Sequence, residues 1–256
     1  MESGISIVAI TSPSEYLTAV TRAMDEVNAV ETLAGFGRII IKPNMVNSSP
    51  PPVTTDVRCV KAMVQYLREW LDADIVVAEG SGEGSTLDNL RYNGFERIGV
   101  QLVDLDALPV KKYSNPAAGE YKEIFLPEYL EGAALVSVPP AKDHTITGVT
   151  LGLKNMVGCL PASHYSGYWS YKKSQVHAVN TDQVVADLML YVKPHLTIID
   201  AIEGLVGGHL SGRAPDPPIG KIIAATDVLA ADREAARLLG HDPETIQHLT
   251  LARQFL

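Results

Sequence analysis

The sequence predicts an α/β fold with a mostly parallel sheet and helices on both faces, a three-layer sandwich. Short β-branched runs alternate along the chain with amphipathic helical windows, which is typical of βαβ units. Several of these runs are apolar throughout, as expected of strands that are covered on both faces. A chain of 256 residues can form one such domain over 1–256, either undivided or as two tightly packed lobes.

Seven β-branched runs are predicted to be strands of this sheet: 6–10, 38–42, 74–78, 100–105, 134–138, 196–200 and 221–226. Two connections, 42–55 and 203–220, are rich in glycine and proline and longer than such folds normally use. Open α/β sheets bind ligands in loops at the carboxyl ends of their strands. We therefore expect a ligand site beside these two loops.

Helices are predicted where apolar residues at helical spacing follow a side chain that can cap a helix. A capping box with Ser12, Pro13 and Glu15 marks the first of them. The later helices are predicted to begin at Asp56, Asn180, Asp227 and Asp242, the last with Pro243 at its first position. Gly240 is predicted to end the helix that Asp227 begins.

Composition argues against nucleic-acid and membrane partners. The net charge is −9, whereas binding to nucleic acid depends on a basic patch. The sequence has no run of 18 apolar residues and no signal-peptide pattern at its start, so we expect a cytoplasmic protein. The two cysteines, Cys59 and Cys159, are expected to be buried free thiols.

The segment "AKDHTITGVTLGLKN", residues 141–155, is the strongest candidate for the site. A helix from Thr147 would have an apolar face of Val149, Leu153, Met156 and Leu160 and a polar face of Thr147, Thr150, Lys154 and Gly158. Lys142, Asp143 and His144 would then lie between strand 134–138 and the helix start, where free N–H groups favour an anion. The alternative is a surface helix whose lysine points to water.

Three further motifs lie at strand ends or in loops. Lys42 and Asn44 follow the strand at 38–42 and could hold a carboxylate or phosphate, or simply cap the loop. Glu79 and Ser81 lie in "AEGSGEGST", a glycine-rich loop whose carboxylates suit a hydroxyl or a metal better than a phosphate. Asp200 with Glu203 suits metal coordination or general-base chemistry.

His164 lies within the aromatic, serine-rich stretch 161–177 and His177 is its last residue; we interpret this stretch as a lid over the site. A structural hydrogen bond is the alternative role for each of these histidines. No pair of histidines has the i, i+4 spacing of a helical zinc site, so a divalent metal would have to be assembled through space.

Taken together, the motifs resemble the family called domain of unknown function 362 (DUF362). They are "IIIKPN", "TTD", "EGSG", "SVPPAKDHTITGVTLGLKNMVG", "LTIIDAIEGL" and "ATDVLAADREAARLLG". Many members of that family carry a ferredoxin-like segment, which this chain lacks, so no iron–sulfur cluster is expected. The chain also resembles, more distantly, the nickel-pincer lactate racemase family. In that family a histidine lies ten positions before the lysine that carries the cofactor, and here His144 lies ten positions before Lys154. The resemblance implies that Lys154 occupies the cofactor-bearing position.

These observations predict an enzyme, or an enzyme-like protein, that binds a small anion at the carboxyl rim of the sheet, with proton transfer or racemase-like chemistry. Lys154, His144 and His177 are the predicted catalytic residues. Burial beside Lys142 is expected to lower the pKa of Lys154. The predicted ligand-binding residues are Lys42, Asn44, Thr55, Glu79, Ser81, Lys142, Thr147, Asn155 and His164, and the predicted metal ligands are Asp200 and Glu203. The alternative functions are a metal or cofactor carrier and a redox accessory protein. The sequence also leaves open whether the protein forms a homo-oligomer.

Overall fold

A central sheet of nine strands and a separate two-stranded ribbon are formed by residues 4–10 and 13–256, which this computed structural model describes. The strands are β1 Ile5–Ala9, β2 Arg38–Pro43, β3 Asp74–Glu79, β4 Gln101–Asp104, β5 Val110–Ser114, β6 Glu123–Pro127, β7 Ala134–Val138, β8 Pro140–His144, β9 Gly148–Thr150, β10 Leu196–Leu205 and β11 Lys221–Ala225. Strands β5 and β6 form the separate ribbon.

The main sheet has the order β1-β11-β10-β7-β2-β3-β4. Every pairing from β10 to β4 along this order is parallel, and so is the pairing of β10 with β8. The pairings of β11 with β1 and β10, and of β8 with β9, are antiparallel. The predicted mostly parallel α/β sheet is therefore confirmed, with an antiparallel edge.

Helices cover both faces of the sheet. They are α1 Tyr16–Glu26, α2 Ala29–Leu33, α3 Val57–Trp70, α4 Thr86–Tyr92, α5 Gly152–Asn155, α6 Ala162–Tyr165, α7 Thr181–Asp187, α8 Val228–Leu238 and α9 Gln247–Ala252. Ile39 and Ile41 pack with α1, α2 and α3 in one core, and Ile40 packs with α5, α7, α8 and α9 in the other. This alternation follows from the period of two along a strand and gives the predicted three layers.

All seven predicted strands are present, and β10 continues to Leu205, beyond the predicted end at residue 200. Strands β5, β6, β8 and β9 were not predicted. The sequence of β8 is PAKDH, which has no β-branched residue. It forms a strand because β10 continues alongside it, pairing Asp200 with Pro140 after the pairing of β10 with β7 has ended.

The helix predictions were right at three starts, where Asp56, Asn180 and Asp227 each accept a backbone N–H as N-cap residues. The capping box at Ser12 lies outside the described residues. The start at Asp242 was wrong: its carboxylate accepts the N–H of Glu244 within a turn, and α9 begins only at Gln247. Cys59 and Cys159 are buried free thiols, as predicted.

The predicted helix from Thr147 was also wrong. Gly148 adopts a φ of +77° and begins strand β9, which returns antiparallel along β8. The helix begins at Gly152 instead, after the β-branched pair Val149 and Thr150, which favours a strand. Lys142, Asp143 and His144 are thus strand residues that lie opposite residues 148–150.

No helix in the described part of the chain combines the length and the apolar character needed to cross a membrane.

Candidate functional site

A cavity of about 380 Å³ opens at the carboxyl ends of β2, β3 and β8. The described residues place five lysines on its wall against two glutamates, Glu79 and Glu83. The lysines are Lys42, Lys142, Lys154, Lys172 and Lys173. An excess of ammonium groups in a partly enclosed hollow creates a local positive potential, even on an acidic protein.

An ion pair forms the floor of the cavity. The ammonium of Lys42 donates to Glu79 Oε1 at 2.7 Å, and the two side chains are 0% and 3% exposed. Lys42 Nζ also donates to the Pro43 carbonyl at 3.2 Å and to Asn155 Oδ1 at 3.3 Å. The second oxygen of Glu79 accepts the Met45 N–H at 3.1 Å. Each charge therefore has several polar partners, as a buried pair requires.

Gly158 packs directly over this ion pair. A Cβ at this position would lie 2.5 Å from Lys42 Nζ and would also overlap the carboxylate of Glu79. The absence of a side chain allows the chain to pass this close to the pair.

Lys142 and Asn44 form a second polar cluster. Lys142 Nζ donates to Asn44 Oδ1 at 2.9 Å and to the Val53 carbonyl at 2.6 Å. Asn44 Nδ2 donates to Asn155 Oδ1 at 3.1 Å, which joins this cluster to the floor. Burial, and then the charge of Lys154, lower the pKa of Lys142 to about 7.

Lys154 differs from the other cavity lysines because no hydrogen bond or ion pair joins its ammonium to another described residue. The residue is only 8% exposed. Burial lowers the pKa of its ammonium to about 8, and the charge of Asp182 opposes that shift. Beside it on the cavity wall, the hydroxyl of Thr150 also has no hydrogen-bond partner among the described residues.

The backbone that carries Lys154 is held by Asp232 of α8. The two carboxylate oxygens of Asp232 accept the N–H groups of Gly152 and Leu153 at 2.7 and 2.8 Å. The sequence predicted free N–H groups for an anion at a helix start near Thr147, whereas the helix begins at Gly152. That prediction was wrong, because a buried carboxylate already occupies the start of α5.

Three histidines form one wall of the cavity. The ring of His144 stacks on His209 at 4.2 Å between centroids and lies 5.9 Å from His177. His144 Nδ1 accepts the N–H groups of Ile146 and Thr147 at 3.1 and 3.3 Å, so the proton of the neutral ring is on Nε2. Burial and the charge of Lys154 lower the pKa of His144. The same two causes lower the pKa of His177 to about 4. Burial and the nearby lysines lower the pKa of His209 to about 4 as well.

Comparison with known proteins gives the family. The family model described as Domain of unknown function (DUF362) matches residues 39–237. The chain belongs to the DUF362 family. A curated relative, the thylakoid-associated protein sll1697 of Synechocystis sp. (strain ATCC 27184 / PCC 6803 / Kazusa), is 24% identical over an alignment of 238 residues that covers 88% of this chain and 71% of the relative.

A solved structure of a Thermotoga maritima protein is similar in fold, with a TM-score of 0.50 and 12% sequence identity. The match covers 90% of this DUF362 chain and 59% of that chain, so the present chain spans under two thirds of its length. The family match confirms the predicted family. The likeness to lactate racemases stays a prediction.

The structure brings most of the predicted site residues of this DUF362 chain to one cavity. On its wall lie Lys154, His144, His177, Lys42, Asn44, Glu79, Lys142 and Asn155. Three others lie behind the wall: Thr55 donates to the Val138 carbonyl, Ser81 donates to the Met45 carbonyl, and Thr147 donates its N–H to His144.

The remaining predicted residues lie elsewhere. His164 stacks on Phe125 at 4.1 Å between ring centroids and does not line the cavity. Asp200 accepts a 2.7 Å hydrogen bond from Tyr16 of α1, which lies on the other face of the sheet. Glu203 lies further along β10 and does not line the cavity. Among the described residues, no group of three or more His, Cys, Asp or Glu side chains is arranged to hold a metal ion.

The cavity wall also includes Tyr171, Lys172, Lys173 and His209, which the sequence did not assign to the site. His209 is a single histidine within the loop 203–220 that the sequence had marked as a ligand loop, which was the available signal. Lys173 lies in the stretch 161–177 and donates from its ammonium to the Gly80 carbonyl at 2.5 Å. This contact fastens the predicted lid to the loop after β3.

Proposed function

We propose that the cavity binds a small anion, a carboxylate or a phosphate, with Lys154 as the central cationic contact. One observation carries this proposal: the ammonium of Lys154 is buried at the cavity wall without a partner among the described residues. Burying a charge without a partner is costly. An anionic group at this position would supply the missing partner.

The surroundings support an anion over a cation. Each of the other four cavity lysines already donates to an oxygen of the protein, through Glu79, Asn44 or Asp106 among other acceptors. Two polar atoms of cavity-lining residues, the Thr150 hydroxyl and His209 Nδ1, have no hydrogen-bond partner in the described part of the chain. A hydroxyl and a neutral imidazole can both donate to an anionic oxygen.

Proton transfer is the chemistry that this arrangement favours. A lysine with a pKa of about 8 exchanges its proton readily near neutral pH, which is what a general acid or base requires. The neutral rings of His144 and His177 lie on the same wall and offer further proton donors and acceptors. An enzyme that acts on a bound organic anion is therefore the function we favour.

A metal carrier would require Asp200 and Glu203 to bind one metal ion together with His144 and His177. The carboxylate of Asp200 points to Tyr16 on the opposite face of the sheet, so these four groups do not converge on one point. The enzyme proposal is preferred for that reason.

Calorimetric titration of the full chain with inorganic phosphate and with butanoate at pH 7 tests the proposal. We expect at least one of the two to bind, and Lys154→Met to weaken that binding by roughly 10- to 150-fold, since a charge-assisted contact contributes roughly 1.5–3 kcal/mol. Lys61→Met, an exposed position on α3, removes the same charge and is expected to leave binding unchanged. If neither probe binds, or if Lys154→Met binds as tightly as the parent, the proposal fails.

A further inference from the structure

The size of the cavity indicates a ligand larger than a bare anionic group. A liquid water molecule occupies about 30 Å³, so a volume of about 380 Å³ has room for roughly a dozen waters. A carboxylate or phosphate group paired with Lys154 would fill only a small part of that space. Cavities of this size in proteins normally enclose most of a small organic molecule.

The lining of the cavity changes from polar to apolar towards the opening. Lys42, Glu79 and Asn155 form the polar floor described above. Ile146, at the turn between β8 and β9, and Leu210, in the loop after β10, also line the cavity, yet they are 53% and 41% exposed. These two residues belong to separate segments of the chain that meet at the opening of the cavity. Each segment therefore contributes an exposed apolar side chain to the rim.

Aromatic side chains from the stretch 161–177 add to this apolar rim. Tyr171 lines the cavity, and the ring of Trp169 lies 5.6 Å from its ring and 6.5 Å from that of His177. Trp169 is 47% exposed. Exposed apolar surface that is continuous with a pocket gains free energy when a ligand covers it.

We propose that the ligand is an amphiphilic organic anion, whose anionic group pairs with Lys154 and whose apolar substituent covers Ile146, Leu210 and the Trp169–Tyr171 pair. This inference rests on the proposed anion site and adds the class of ligand that the site takes. Ile146, Leu210 and Tyr171 line the same cavity as the cationic wall. A single molecule with one charged end and one apolar end therefore matches both surfaces at once.

Titration of the full chain with the straight-chain carboxylates butanoate, hexanoate and octanoate, at one pH and ionic strength, tests this inference. Each methylene that becomes buried contributes about 0.8 kcal/mol, which is up to roughly a fourfold tighter Kd. We expect octanoate to bind at least tenfold more tightly than butanoate. We also expect the double variant Ile146→Ser with Leu210→Ser to lose most of this difference, because it weakens octanoate far more than butanoate.

Leu17→Ser is the matched control, because Leu17 is 48% exposed on α1 and does not line the cavity. We expect it to keep the full dependence on chain length. Butanoate and octanoate binding with equal Kd would overturn the inference and leave the anion site intact. Octanoate binding that survives Lys154→Met would overturn both, because the apolar chain would then be binding without the anion site.

Discussion

Lys42 and Lys154 are two buried lysines on the wall of one cavity, and they differ in what surrounds their ammonium groups. Lys42 is 0% exposed and donates to three oxygens, one of them the carboxylate of Glu79. Lys154 is 8% exposed and has no such contact among the described residues. The same side chain, at similar burial, is thus fully satisfied in one place and unsatisfied in the other.

This difference is the basis for our proposal that Lys154 binds the ligand, whereas Lys42 has a structural role. At Lys42 the protein itself provides the negative charge that a buried ammonium needs. At Lys154 the nearest compensation is the more distant charge of Asp182, and burial still lowers the pKa to about 8. A ligand charge therefore has far more to contribute at Lys154 than at Lys42, and substitutions at the two positions are expected to have different consequences.

The largest expected effect is on stability, at Lys42. Lys42→Met leaves the buried carboxylate of Glu79 without its cation, and breaking one side of a buried pair costs about 3–5 kcal/mol. We expect the free energy of unfolding in a urea titration to fall by that amount. Lys154→Met is expected to leave stability unchanged or to raise it, because it removes an unpartnered buried charge.

The double variant Lys42→Met with Glu79→Met is the control for this comparison. Removing both charges avoids the unpaired carboxylate, so we expect it to be more stable than Lys42→Met alone. A Lys42→Met protein as stable as the parent, or a Lys154→Met protein destabilised as much as Lys42→Met, would remove the distinction between the two lysines.

A smaller effect is expected at Asp232, which holds the backbone of Lys154 without touching the cavity. Asp232→Asn keeps one acceptor oxygen but replaces the other with an amide, so the N–H of Gly152 or Leu153 loses its partner, at a cost of about 1–3 kcal/mol. We expect lower stability together with weaker butanoate binding, since Lys154 shifts with its backbone. Asp227→Ala removes the N-cap of the same helix, at a cost of about 0.5–2 kcal/mol, and is expected to lower stability alone. Unchanged butanoate binding in Asp232→Asn would show that Asp232 does not position Lys154.

The contrast between Lys42 and Lys154 also marks how far the sequence could lead. Hydrophobic periodicity predicted the parallel strands. The positions of the strand ends predicted that Lys42, Lys142 and Lys154 would line one cavity, because side chains at the carboxyl ends of neighbouring parallel strands lie close together. The sequence did not indicate which of these lysines has a partner. That depends on contacts such as Lys42 with Glu79, which join residues 37 positions apart.

The errors in the site came from the local conformation around Gly148. Apolar residues at 149, 153, 156 and 160 match a helical period, and all four are buried. A left-handed glycine and a short strand produce the same burial without a helix over 147–151. For a segment this short, periodicity does not distinguish a helix from a strand followed by a turn. The contact of Asp232 was also beyond the sequence, since nothing there relates this residue to a backbone 80 positions away.

The smallest predicted effect is the pH dependence of anion binding, which follows from the lowered pKa of Lys154. The protonated ammonium is the form that pairs with an anion, and its pKa is about 8. Binding is therefore strongest well below pH 8 and weakens as the pH rises through that value. With butanoate, which stays ionised throughout, we expect the Kd to rise by about tenfold from pH 7 to pH 9, since each pH unit above the pKa corresponds to a factor of ten.

The groups around Lys154 set the conditions for interpreting this measurement. His177 and His209, with pKa values of about 4, and His144, whose pKa is also lowered, stay neutral across this range. Lys142, with a pKa of about 7, loses its charge mainly in the lower part of it. Lys154→Arg separates the two lysines, because a guanidinium stays charged at pH 9. We expect the Kd of the arginine variant for butanoate not to rise steeply above pH 8. A rise as steep as that of the parent would assign the titration to Lys142. A parent Kd that does not change between pH 7 and 9 would mean that the charge of Lys154 is not what holds the anion.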